Sequence, residues 1–202
     1  MQLPCLIVDI GGVLEITPHT GWPERWERRL GLPEGAVEER MADVWAAGMV
    51  GGIDEPGVSA QLTKRLGLDG EQLSALLDDL WADYLGSPNQ QMIDYLAGLR
   101  SRCRIAILSN SFVGAREREE AAYGFAGLTD HLVYSHEIGV QKPDPRAFAA
   151  AVTALAAAPA DCLFIDDHAP NVEGARAVGL HAHLFTGNAD AIARIERHLA
   201  EH

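Results

Sequence analysis

Positive charge is scarce in this chain. Lysine and arginine together number 16 against 29 aspartates and glutamates, a formal net charge of −13. A surface that acidic repels nucleic acid and anionic membranes, and neither is expected as a partner. Cysteine is sparse too: Cys5, Cys103 and Cys162 each fall in or beside an apolar run, and their spacing is not that of a metal site. Buried, reduced thiols of a cytoplasmic protein are the reading that fits. No run of about 18 apolar residues is present, so no membrane span is expected. The opening MQLPCLIVDI has no basic stretch before its apolar run, so a secretory signal is not expected either. Internal repeats and low-complexity tracts are missing. What remains, 48% apolar and 22% charged, is an ordinary globular composition over 202 residues, enough for one core with a small inserted unit.

Cys5 to Asp9 is an apolar run without alternation, as in a strand covered on both faces, and it ends in an acid followed by Gly11 and Gly12. The glycines allow a sharp turn and a close approach of backbone to a ligand. From about Trp22 to Leu85 the spacing predicts helices only. Leu73, Leu76, Leu77, Leu80, Trp81 and Tyr84 share one helical face, while Asp78, Asp79 and Asp83 lie on the other. After that, strands and helices alternate. Strands are expected at Arg104–Leu108, His131–Ser135, Cys162–Ile165 and His181–Phe185. Helices are expected at Asn89–Leu99, Phe112–Tyr123, Pro145–Ala158, Asn171–Val178 and Ala189–Ala200. This is the pattern of βαβ units and a parallel sheet, with every strand C-terminus on one edge. The fold class is therefore α/β: a Rossmann-like parallel sheet formed by residues 1–16 and 87–202, interrupted after its first strand by an α-helical insertion over 17–86.

Four groups of polar residues fall at strand ends or loops on that edge: Asp9; Ser109 and Asn110; Lys142; and Asp166 with Asp167. Each alone has a bland explanation. An Asp or Ser-Asn after a strand is commonly a cap or turn former, and a lysine before a proline is commonly solvated. Together they suit phosphoryl transfer. A carboxylate, Asp9, can act as nucleophile. Mg²⁺ held by Asp9 and Asp167 offsets the repulsion between that carboxylate and a phosphate dianion. Ser109, Asn110 and Lys142 can cradle the phosphoryl oxygens. The acidic surface does not exclude a small phosphorylated metabolite, because the field inside a cleft can oppose the global one. Oligomeric state is left open, a homodimer included.

The motifs VDIGGVL, ILSNS, GVQKPDP and FIDDHAPN, in this order, resemble those of the haloacid dehalogenase superfamily of hydrolases. The helical insertion resembles that superfamily's C1-type cap. The last motif, with Asn171 four residues after Asp167, resembles the branch holding the N-terminal phosphatase domain of epoxide hydrolases and small sugar-phosphate phosphatases. The resemblance implies a mobile cap, Mg²⁺ bound among Asp9, Asp166, Asp167 and the Gly11 carbonyl, and hydrolysis through an aspartyl phosphate on Asp9. Phosphatases of this family usually carry a second aspartate where this chain has Gly11. That residue acts as general acid and base, and its loss typically costs about 10²–10⁴-fold. Three consequences are open: a substrate with a good leaving group, such as an acyl or anomeric phosphate; a substitute acid, with Glu15 and His19 close in sequence; or an inactive, ligand-binding relative. A 2-haloacid dehalogenase ranks lower, because that chemistry needs no metal and this chain keeps Asp166 and Asp167. Trp22, Trp26, Trp45 and Trp81 are expected chiefly in the core of the insertion. His168 is expected at the surface or in a cap, and Arg116, Arg118 and the neighbouring glutamates on a solvated helix face.

Overall fold

The computed structural model describes residues 3–17 and 20–201. Chain order is β1 (Cys5–Val8), β2 (Glu15–Ile16), α1 (Trp22–Leu30), α2 (Ala36–Gly48), α3 (Glu55–Leu66), α4 (Gly70–Leu85), β3 (Ser87–Pro88), α5 (Gln90–Ala97), β4 (Arg104–Ser109), α6 (Ala115–Tyr123), α7 (Phe125–Leu128), β5 (His131–Tyr134), α8 (Ser135–Ile138), α9 (Pro145–Ala154), β6 (Cys162–Asp166), α10 (Ala169–Ala177), β7 (His181–Leu184) and α11 (Asn188–Glu201). Five strands form one sheet in the order β5-β4-β1-β6-β7, and every neighbouring pair is parallel.

The apolar runs explain the sheet. In β1, Leu6 and Val8 join one buried cluster with Leu96, Phe125 and Ile195, while Cys5 and Ile7 join the opposite one with Phe148, Ala151 and Phe164. Both faces of the central strand are thus covered by helices, which is why its sequence does not alternate. Strand order changes direction at β1, so the crevice at its C-terminal end lies between the ends of β4 and β6. Such a switch point is where open α/β sheets bind ligands.

Helices α1–α4 bury a third cluster of their own, including Trp26, Met41, Leu62 and Leu76. They leave and rejoin the sheet through β2 and β3, which pair antiparallel, Glu15 with Pro88 and Ile16 with Ser87. The end of α2 rests on the loop after β4. A Cβ on Gly48 would lie 2.1 Å from Cε2 of Phe112, so the missing side chain gives that ring its seat. Val113 N–H donates to the Gly48 carbonyl at 3.1 Å, and Ser135 Oγ donates to the Met49 carbonyl at 2.7 Å.

All five expected sheet strands are present, and no strand occurs between Trp22 and Leu85. Four details differ. The helix expected from Phe112 starts at Ala115, after Gly114 in the left-handed region. The one expected to reach Ala158 stops at Ala154. The two-residue strands β2 and β3, and the single-turn helices α7 and α8, were not expected. Among the described residues, no helix is long and apolar enough to cross a membrane.

Candidate active site

Asp9 leaves β1 with its backbone still tied to the sheet: its N–H donates to the Ile165 carbonyl at 3.0 Å. The chain then folds tightly over Ile10, whose carbonyl accepts from the N–H groups of Val13, Leu14 and Glu15. Ile10 N–H donates to Asp9 Oδ1 at 2.8 Å and fixes the carboxylate. Lys142, its side chain fully buried, bridges two acids, with Nζ 2.7 Å from Asp9 Oδ1 and 2.7 Å from Asp166 Oδ2. Asp166 ends β6. Its two oxygens also accept from Asn171 Nδ2, at 3.1 and 3.0 Å, and Oδ1 accepts from His168 N–H at 2.8 Å. Asp166 therefore holds Lys142 in place between two strand ends.

Asn110 acts on the same lysine from the other side. Its Oδ1 accepts from Lys142 N–H at 2.7 Å, and its Nδ2 donates to the Lys142 carbonyl at 2.9 Å. The Asn110 amide is thus committed to the Lys142 loop. Ser109, at the end of β4, is buried and lines the cavity in front of this cluster. Asp167 is exposed on the same edge, and a Cβ on Gly12 would lie 2.0 Å from its Oδ2.

Asp9, Asp166 and Asp167 each present an oxygen within 4.8 Å of the other two. Three carboxylates facing one ammonium leave two negative charges uncompensated, the charge of one divalent cation. Burial raises the Asp9 carboxyl to about 7 against the opposing pull of Lys142, with Asp166 adding to the rise. Burial and the neighbouring Asp166 raise Asp167 as well. An all-oxygen set short of positive charge fits a hard cation such as Mg²⁺.

Gly11 stands where the family's second aspartate is expected. Among the described residues, nothing lies within 4 Å of the position a Cβ would take there, so the surroundings leave room for a side chain. Of the two substitute acids, His19 lies outside the described residues. Glu15 is 3% exposed, accepts from Thr17 Oγ1 at 2.8 Å, and is raised by burial to about 7.

A cavity of about 400 Å³ separates the sheet edge from the helical insertion. Ile10, Gly11, Ser109 and Asn110 line its floor, and Trp22, Trp45 and Tyr84 are among its walls. The tryptophans divide. Trp26 is buried in the insertion and donates Nε1–H to Asp79 at 2.8 Å, and Trp81 lies beneath the Arg118 guanidinium. Trp22 and Trp45 face the cavity. His168 is exposed, as expected.

One expectation fails. Arg116 and Arg118 do lie at the surface, paired with Glu137 and Glu55, but the neighbouring Glu119 is 2% exposed and lines the cavity. Burial raises its carboxyl to about 7, with the Tyr134 and Tyr84 hydroxyls opposing the rise. The charged run around it masks a buried stripe, Ala115 and Glu119, at i, i+4 spacing. That spacing was the available signal.

A family model for haloacid dehalogenase-like hydrolases matches residues 5–179. A phosphatase of Mycobacterium tuberculosis, MT3486, is 31% identical over 91% of this chain and 88% of its own length. A D-ribitol-5-phosphate phosphatase of Bacteroides thetaiotaomicron is 24% identical over 92% of this chain and 93% of its own. A crystal structure of a family enzyme from Bacteroides thetaiotaomicron, in complex with magnesium and inorganic phosphate, superposes with a TM-score of 0.79 at 19% identity, covering 94% of this chain and 98% of that one. The family model over most of the chain and the 31% identical relative show that the chain belongs to the haloacid dehalogenase-like hydrolase family.

Proposed function

We propose that this hydrolase is a Mg²⁺-dependent phosphatase of a small phosphomonoester, working through an aspartyl phosphate on Asp9. The observation that carries the reading is the cluster of Asp9, Asp166 and Asp167 at the sheet's switch point, with Asp9 and Asp166 paired to one buried lysine. Relatives that are phosphatases along most of their length support it.

Asp9, Asp167 and the Gly11 carbonyl would hold Mg²⁺, with Asp166 completing the anionic set. The ion supplies charge that lets an anionic carboxylate approach an anionic phosphate. The Asp9 carboxylate attacks phosphorus, the P–O bond to the alcohol breaks, and the alkoxide takes a proton from water. A second water then attacks the phosphorus of the aspartyl phosphate, giving inorganic phosphate and restoring Asp9. Lys142 and Ser109 hold phosphoryl oxygens, and Lys142 balances charge as the bonds change. Asn110 is a positioning residue, because its amide fixes the lysine loop rather than facing the substrate. Residues 17–86 act as a cap that closes the cavity over the leaving group. With Gly11 in place of the usual acid, the site favours an alcohol that departs without strong protonation.

The test uses p-nitrophenyl phosphate and acetyl phosphate. Wild type should turn both over with Mg²⁺, lose activity in EDTA, and lose at least about 10³-fold on Asp9→Asn. Undiminished turnover in EDTA, or by Asp9→Asn, would contradict the reading.

A further inference from the structure

The cavity in front of the acids has walls of two kinds. Trp22 and Trp45 meet with ring centroids 6.5 Å apart at 79°, and Trp45 and Phe112 at 5.7 Å and 69°. All three line the cavity, so near-perpendicular aromatic rings form one corner of it. The titratable side chains among its described lining residues are Glu15, Glu38, Asp83, Glu119 and the Tyr84 phenol; no lysine, arginine or histidine is among them. Glu15 is 3% exposed, and its Oε1 accepts no hydrogen bond from the described residues.

Aromatic faces attract cations, and several rings lining one corner are the kind of wall that recognises ammonium groups. A buried carboxylate without a counter-charge is costly and is relieved by a cation. We propose that this cavity selects phosphomonoesters whose leaving alcohol carries an ammonium group, held between the aromatic corner and the buried carboxyls. The inference rests on the phosphatase reading and names its substrate class.

Two further facts fit. Glu38, Asp83 and Glu119 line the same cavity as the aromatic corner, so an ammonium there meets carboxylates as well as ring faces. An ammonium close to the ester oxygen also withdraws electron density and eases departure of the alkoxide, which suits a site with Gly11 in place of an acid. A phosphorylated hydroxy acid is disfavoured, because its carboxylate would enter a cavity lined with acids and no described cation.

A matched pair of substrates tests this. Choline phosphate and 3,3-dimethylbutyl phosphate have nearly the same shape and differ in the charge at one atom, and phosphoglycolate supplies the anionic case. Wild type should prefer choline phosphate over its neutral isostere by at least about tenfold in kcat/KM, with phosphoglycolate slowest. Trp45→Leu and Glu119→Gln should each shrink that ratio. Choline itself should perturb tryptophan fluorescence of the wild type at concentrations where 3,3-dimethylbutanol does not. Equal kcat/KM on the pair, with p-nitrophenyl phosphate still hydrolysed, overturns the ammonium assignment and leaves the phosphatase reading standing. Loss of all turnover, p-nitrophenyl phosphate included, sinks the phosphatase reading and this one with it.

Discussion

Gly12 and Gly11 are adjacent glycines with different reasons to be glycine. At Gly12, φ is +70° and a Cβ would lie 2.0 Å from Asp167 Oδ2. Gly12→Ala should push Asp167 off the acidic cluster and weaken Mg²⁺ affinity about 10–100-fold, read by titrating activity or heat against Mg²⁺. Unchanged affinity would show that Asp167 does not hold the ion. At Gly11 the space is open and the backbone is ordinary. Gly11→Asp should therefore fold, and should raise turnover of alkyl phosphates by at least about tenfold while changing acetyl phosphate little. No gain on alkyl phosphates would mean that the missing acid is not what limits the enzyme. Asp9, Lys142, Asp166 and Asp167 were legible in the sequence because a parallel sheet collects its strand ends at one edge. The part played by Asn110 was not, because its partner is the main chain of a loop 32 residues away.

Among the elements, α6 carries the clearest consequence of the insertion's position. Its sequence reads as charged around most of its surface, yet Glu119 is buried and faces the cavity beneath the insertion. The i, i+4 spacing of Ala115 and Glu119 hints at a covered face, but which element covers it is not written in α6 itself. The Glu119 carboxyl ionises near 4.5 when free and near 7 in the fold. At low pH both states bind the proton, and at high pH neither does and the folded state bears the desolvated charge. Stability from this group is therefore fully present below about 4.5 and is lost as pH rises through 7. Glu119→Gln should remove that dependence, raising stability at pH 8 by about 2 kcal/mol, or about 4–8 °C in melting temperature. A variant no more stable than wild type at pH 8 would contradict a desolvated Glu119. The strands of the large sheet were legible as apolar runs, whereas β2 and β3 were not. Two residues have no pattern of their own, and these become strands only because the chain enters and leaves the insertion side by side.

The whole molecule carries a net charge of −13, and its chemistry sits at a place where one buried lysine offsets part of a local excess of acids. Lys142 is buried between two acids at the centre of the sheet edge, and the cluster around it still lacks the positive charge that a metal would bring. The helical insertion supplies the opposite wall, aromatic and acidic, so the two sides of one cavity suit different parts of a substrate. Sequence patterns give the sheet, the insertion and the acids directly. The aromatic and acidic lining of the cavity emerges only when Trp22, Trp45, Phe112 and Glu119, distant in the chain, line one space. The central claim is that phosphate passes through Asp9. It is tested most directly by mixing excess enzyme with acetyl phosphate and Mg²⁺, quenching cold at mildly acidic pH, and mapping the protein by mass spectrometry. One phosphoryl group should appear on the peptide holding Asp9, and be absent from Asp9→Asn and from the EDTA control; turnover with no phosphoryl group there, or with one on another residue, would contradict the account.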